Sequence, residues 1–131
     1  MVGWVTLESR LRFLAIMLSL AAFAAGAAQA GNAANGAVVF QRCALCHSAD
    51  KNGGNGVGPN LFGVAGRKAA TLPDFFYSPA LKKSGITWTD AKLKAWVSGP
   101  ARLVPGTRMT FAGLSDPRQA DDVIAYLHTK K

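Results

Sequence analysis

Two thiols three positions apart, with an imidazole directly after the second, constrain this chain more than any other feature. They are the string Cys43-Ala44-Leu45-Cys46-His47. Each thiol can add across one vinyl group of a porphyrin, and two intervening residues let one short helical turn reach both. The imidazole that follows then points at the iron from one side. The string is therefore the attachment signature of a c-type haem. A five-residue string also arises by chance, so its surroundings matter. These are the only two cysteines, and the chain has only two histidines. A dithiol redox motif would need a strand before it and a βαβ context, and neither is visible. A zinc site would have only Cys43, Cys46, His47 and His128 as soft donors, and the adjacent Cys46-His47 pair fits a closed tetrahedron poorly.

The first 30 residues read as a segment apart. Arg10 and Arg12 precede an apolar run from Phe13, and the run closes with Ala28-Gln29-Ala30. A basic flank, an apolar middle and a small-x-small end are the parts of a cleavable secretory signal peptide. Residues 1–30 are assigned to it, with cleavage after Ala30 and a domain over residues 31–131. The rival is an uncleaved inner-membrane anchor, since residues 13–30 form an uncharged stretch of 18, near the ~20 that a spanning helix needs. Its Ala- and Gly-rich second half is only weakly apolar, which favours cleavage. The location expected of the exported domain is the periplasm.

A domain of about 100 residues buries a limited share of its surface and gains from a cofactor at its centre. Without residues 1–30, which hold Arg10, Arg12 and Glu8, 13 basic and 6 acidic residues remain, a net charge of +7. Such a charge favours acidic partners and speeds encounter with them at low salt. No helix carries a basic stripe interleaved with aromatics, so nucleic acid is not expected.

In chain order, residues 32–43 are a first predicted helix, capped by Asn32 or Asn35. Residues 50–59, rich in Gly and Asn, form a loop. Residues 73–83 open as a core loop around Phe75, Phe76 and Tyr77. Ser78 then caps a short helix with Pro79 at its first position, and Gly85 ends it. Thr89 caps a helix over 90–98 with Leu93, Trp96 and Val97 on one face. Gly99-Pro100 stops it, and 101–104 read as a turn. Asp116 caps the last helix, whose face is Ala120, Val123, Ile124 and Leu127. Residues before Thr87 sustain no alternation long enough for a strand.

An electron-shuttling haem needs a second axial ligand. Met109 is the only methionine beyond the leader, 62 residues after His47, on a loop that begins Pro105-Gly106. A thioether ligand stabilises ferrous iron and raises its potential. Core filling is the ordinary role of a lone methionine, and His128 is the competing ligand, placed among polar residues at the chain end.

The residues also resemble class I, mitochondrial-type cytochrome c, as a bacterial exported member. Those that carry the likeness are Cys43-Ala-Leu-Cys-His47, Gly58-Pro59-Asn60-Leu61, Gly66-Arg67-Lys68, Tyr77-Ser78-Pro79-Ala80, Ile86-Thr-Trp88, Pro105-Gly-Thr-Arg-Met109 and Phe111-Ala-Gly-Leu114. They span residues 31–131 in the family's order. The resemblance implies an all-α fold, with helices wrapped around one covalently bound haem. The first and last helices would cross where Gly36 and Phe40 meet Tyr126. It implies His47 and Met109 as iron ligands, with the Pro59 carbonyl holding the second nitrogen of His47. Tyr77 and Trp88 would donate to a haem propionate, with Arg67 close by. Thr107 would close the Met109 loop onto a propionate, and Phe111 would shield the haem edge. Two positions depart from the family: Leu81 stands where members commonly carry Asn, and Trp96 where they carry Tyr. Neither supplies the same hydrogen bonds.

The expected function is that of a soluble, monomeric one-electron carrier, not an enzyme. Its expected partners are acidic docking faces of membrane redox complexes, an oxidase or a cytochrome bc-type complex of a respiratory or photosynthetic chain, or a periplasmic dehydrogenase. Lys82, Lys83, Arg42, Arg102 and Arg108 are candidates for the docking face. A haem enzyme such as a peroxidase needs an open sixth position and distal acid–base groups. A dedicated cytochrome subunit of one dehydrogenase is the remaining reading.

Overall fold

The computed structural model describes residues 30–131. The expected leader lies outside the described residues, apart from Ala30. Five helices follow in order: α1 Ala33–Phe40, α2 Pro79–Lys83, α3 Asp90–Ser98, α4 Pro100–Leu103 and α5 Pro117–His128. An isolated antiparallel bridge pairs Lys68 with Thr87. No longer strand forms among the described residues, so the all-α expectation holds.

Each longer helix begins where its capping side chain predicts. The Asn32 side chain accepts from the Asn35 amide at 3.0 Å, and Thr89 accepts from Lys92 at 3.3 Å. Asp116 accepts from Arg118 at 2.9 Å. Each side chain satisfies one of the amides that a helix start leaves without an intrahelical partner.

The first helix stops earlier than the expected 32–43. Beyond Phe40 the chain tightens: the amides of Gln41, Arg42 and Cys43 bond three residues back, at 3.2, 3.2 and 2.8 Å. The amide of His47 then bonds to the Cys43 carbonyl at 2.9 Å. This tight winding carries both thiols and the imidazole.

The α1–α5 crossing forms as expected. A Cβ at Gly36 would stand 2.6 Å from the carbonyl carbon of Asp122 and 2.8 Å from Cβ of Tyr126. Only glycine lets the two backbones approach this closely. The Phe40 and Tyr126 rings pack at 5.0 Å. The Asn32 amide adds a bond to the Asp122 carboxylate at 2.6 Å. On the inner side of α5, Ala120, Val123, Ile124 and Leu127 are all buried, the stripe expected from their spacing.

Two local expectations are corrected. Residues 100–103 form a helical turn rather than an irregular one, with Pro100 at its first position. Proline presets the backbone for a helix start as readily as it ends the helix before it. The segment around Phe75 is only partly core: Tyr77 is buried, whereas Phe76 is 73% exposed. Its ring instead lies beside two cations, Lys82 Nζ at 5.0 Å and the Arg108 guanidinium at 4.7 Å.

Candidate cofactor site

A cavity of about 420 Å³ opens between the Cys43–His47 winding and the loop that carries Met109. Cys43, Cys46, His47, Pro59, Arg67, Tyr77, Trp88, Thr107 and Met109 all line it. The structure thus brings together every candidate site residue, from segments as far apart as residues 43 and 109. His128 is not among them. It lies on the surface with Nε2 2.7 Å from the Asp90 carboxylate.

His47 is held in one orientation. Its Nδ1 stands 2.7 Å from the Pro59 carbonyl oxygen, so Nδ1 carries the proton and Nε2 keeps its lone pair. Burial holds the imidazole below its ordinary pKa, and the Pro59 bond opposes that shift. The ring is therefore a neutral donor at neutral pH. Gly58 makes room for it, since a Cβ there would overlap the ring. Burial pushes the Cys43 thiol up, opposed by Arg42 and reinforced by Cys46.

The opposite wall comes from the Met109 loop. The Met109 amide donates to Oγ1 of Thr107 at 3.2 Å, a local bond that fixes the loop just before the thioether. Gly106 takes the left-handed conformation, with φ of 89°. A side chain there would be strained, and its Cβ would press on Ala80 of α2.

Arg67 does more than the sequence suggests. Its two terminal nitrogens donate to the Phe62 carbonyl at 2.9 Å and to the Asn60 carbonyl at 3.0 Å. It ties together the loop that leads away from Pro59. Burial pulls its pKa down from the ordinary guanidinium value, and nearby Tyr77 opposes this. These carbonyl partners have no signature in the sequence, because the loop has no period. Leu81 and Trp96 also line the cavity, and Trp96 packs on Trp88 with ring centres 5.2 Å apart.

Sequence reasoning missed three rim residues. Leu45, Val57 and Phe76 are 83%, 81% and 73% exposed, yet all three line the cavity mouth. Leu45 lies between the two cysteines, which was the available clue. Of the expected docking cations, Arg42 and Arg108 reach the mouth. Arg102 turns back to the Ser98 carbonyl at 2.6 Å.

The donors and walls fit a haem. Two thiols stand on one wall, an imidazole with a free Nε2 beside them, a thioether on the facing loop, and apolar or aromatic side chains between. Bound there, a haem supplies one-electron redox chemistry at its iron.

Comparison with known proteins agrees with this reading. The family profile described as Cytochrome c matches residues 33–131. A cytochrome c homolog of Rickettsia felis is 48% identical over 98 residues, covering 75% of this chain and 56% of its own length. The chain thus spans little more than half the length of that relative. Cytochrome c2 of Rhodoblastus acidophilus is 47% identical over 98 residues, covering 75% of this chain and 92% of its own. The solved structure of cytochrome cH from Methylobacterium extorquens is 50% identical, with a TM-score of 0.73, and covers 76% of this chain and all of its own. With its Cys43, Cys46 and His47 string set in the wall of the cavity, this chain belongs to the cytochrome c family, whose cofactor is covalently bound haem c.

Proposed function

We propose that this protein is a soluble one-electron carrier whose haem iron is held between Nε2 of His47 and the sulfur of Met109. The observation that carries the reading is the joint placement of these two donors on one cavity, with the other nitrogen of His47 already committed to Pro59. The thioether favours the ferrous state and so a high potential. His47 and Met109 would hold the iron, and the packed walls around them would limit the rearrangement that accompanies electron transfer. Tyr77, Trp88 and Thr107 supply donors for the propionates, and Arg67 a positive charge.

Export through residues 1–30 to the periplasm fits the basic flank, apolar run and small-x-small end of that segment. Among the described residues, no helix is long and apolar enough to cross a membrane. The basic surface suits brief, salt-sensitive docking on acidic faces of membrane complexes or of a periplasmic dehydrogenase. The name of the Rhodoblastus relative, cytochrome c2, supports the carrier reading over that of a haem enzyme.

Optical and magnetic spectra of the purified holoprotein test the ligands. Low-spin iron in both oxidation states, with a methionine-to-iron band in the oxidised form, is expected. Met109→Ala should abolish the band and open the iron to carbon monoxide. A high-spin resting state in the natural protein would favour an enzyme.

A further inference from the structure

Phe76 is a large aromatic ring on the surface, yet it is not idle. The Arg108 guanidinium lies 4.7 Å from its ring centre, and Nη1 of the same arginine reaches the Phe76 carbonyl at a long 3.4 Å. Arg108 directly precedes Met109. The two residues are 32 apart in sequence and belong to different segments. The same segments also pass close to each other at Gly106, where an added Cβ would stand 3.3 Å from the Ala80 Cβ. The loop carrying the thioether therefore meets Phe76 through a cation over an aromatic face, and passes close to Ala80.

We propose that Phe76 is a positioning residue, whose ring and carbonyl clasp Arg108 and so hold the Met109 loop closed over the cavity. The clasp rests on the reading of Met109 as an iron ligand for its consequence at the iron, but not for its effect on the loop. Lys82 also lies over the ring, but from α2, six residues after Phe76 in the chain. It belongs to α2 and not to the loop that carries Met109. An external ligand must displace Met109 through loop opening, so loosening the clasp raises its apparent affinity. A cation over an exposed ring typically changes such an equilibrium by about three-fold.

The experiment uses the holoprotein and imidazole as probe at about pH 8, where the probe is mostly neutral and insensitive to lost surface charge. Phe76→Ala and Arg108→Ala should each raise imidazole affinity by about three-fold and quicken exchange of the Met109 amide. The double variant should exceed neither single one by much, because both remove the same contact. Phe76→Trp should restore natural behaviour, and Lys82→Ala should leave it unchanged. Independent, additive effects would overturn the proposal, as would an unaltered Met109 amide or a Lys82→Ala variant that matches Phe76→Ala. If the natural protein shows no methionine band, the ligand assignment fails instead, and exchange of the Met109 amide alone decides the clasp.

Discussion

The Nδ1 atom of His47 stands 2.7 Å from the carbonyl oxygen of Pro59, and the residue before that proline has no side chain. The two facts belong together. A Cβ at Gly58 would run into the imidazole, so the ring keeps its bond to Pro59 only while position 58 stays bare. Gly58→Ala is expected to destabilise the holoprotein by about 1–3 kcal/mol, the usual cost of overpacking a filled site. It should also disturb the methionine-to-iron band, since a tilted imidazole alters the iron. Urea unfolding and the oxidised spectrum check both parts; a natural midpoint would count against the account.

A similar argument applies at Gly36, with backbone in place of a ring. The atoms that an added Cβ would meet are the Asp122 carbonyl group and the first side-chain carbon of Tyr126. Neither can swing aside. Gly36→Ala should therefore cost about 3 kcal/mol, the upper end of the overpacking range, although alanine is the better helix former. The urea midpoint measures it, and a loss below about 1 kcal/mol would mean that α1 slides along α5 without penalty.

Much of this architecture was legible because its signals are local. Asn32, Ser78, Thr89 and Asp116 each precede a helix by one residue, and each makes its cap bond in the structure. The α5 stripe follows from spacing alone. The haem-binding string needed no structure to be noticed. What stayed hidden depends on distant partners. Phe76 is apolar and reads as core, but the arginine beside it comes from 32 positions away. Arg67 reads as a charge for a propionate, and its further bonds to the carbonyls of Asn60 and Phe62 have no sequence signature. Gly99-Pro100 reads as a stop, and it is also a start, because proline suits both.

Leu81 is buried at 9% exposure and lines the cavity close to the aromatic wall. The chain's resemblance to class I cytochrome c would lead one to expect an asparagine there. Leu81 belongs to the cluster of buried apolar side chains, so an amide there would lose water and would need a new partner. Leu81→Asn is expected to lower stability by about 2 kcal/mol, within the range for an unpaired buried polar group. Equilibrium urea unfolding is the measurement. An unchanged or raised midpoint would show that the pocket holds a partner for the amide, and with it the internal polar network that leucine excludes.

Residues 100–109 contain two basic side chains, Arg102 and Arg108, and no lysine. A lysine amine becomes a ligand once it loses its proton, near about pH 10.4 when unperturbed. A guanidinium keeps its proton throughout the accessible range and cannot bind iron. Lys82, over the Phe76 ring, belongs to α2 rather than to this loop. The Met109–iron bond should therefore survive alkali well, with its band persisting to about pH 10, where lysines elsewhere begin to titrate. Arg108→Lys supplies the missing amine beside Met109 and weakens the hold on Phe76. That variant should lose the band at least about one pH unit earlier. Following the band through an alkaline titration of both proteins is the check. Loss in the natural protein below about pH 9 would mean that some other group displaces methionine, and that the absence of a loop lysine does not protect the bond.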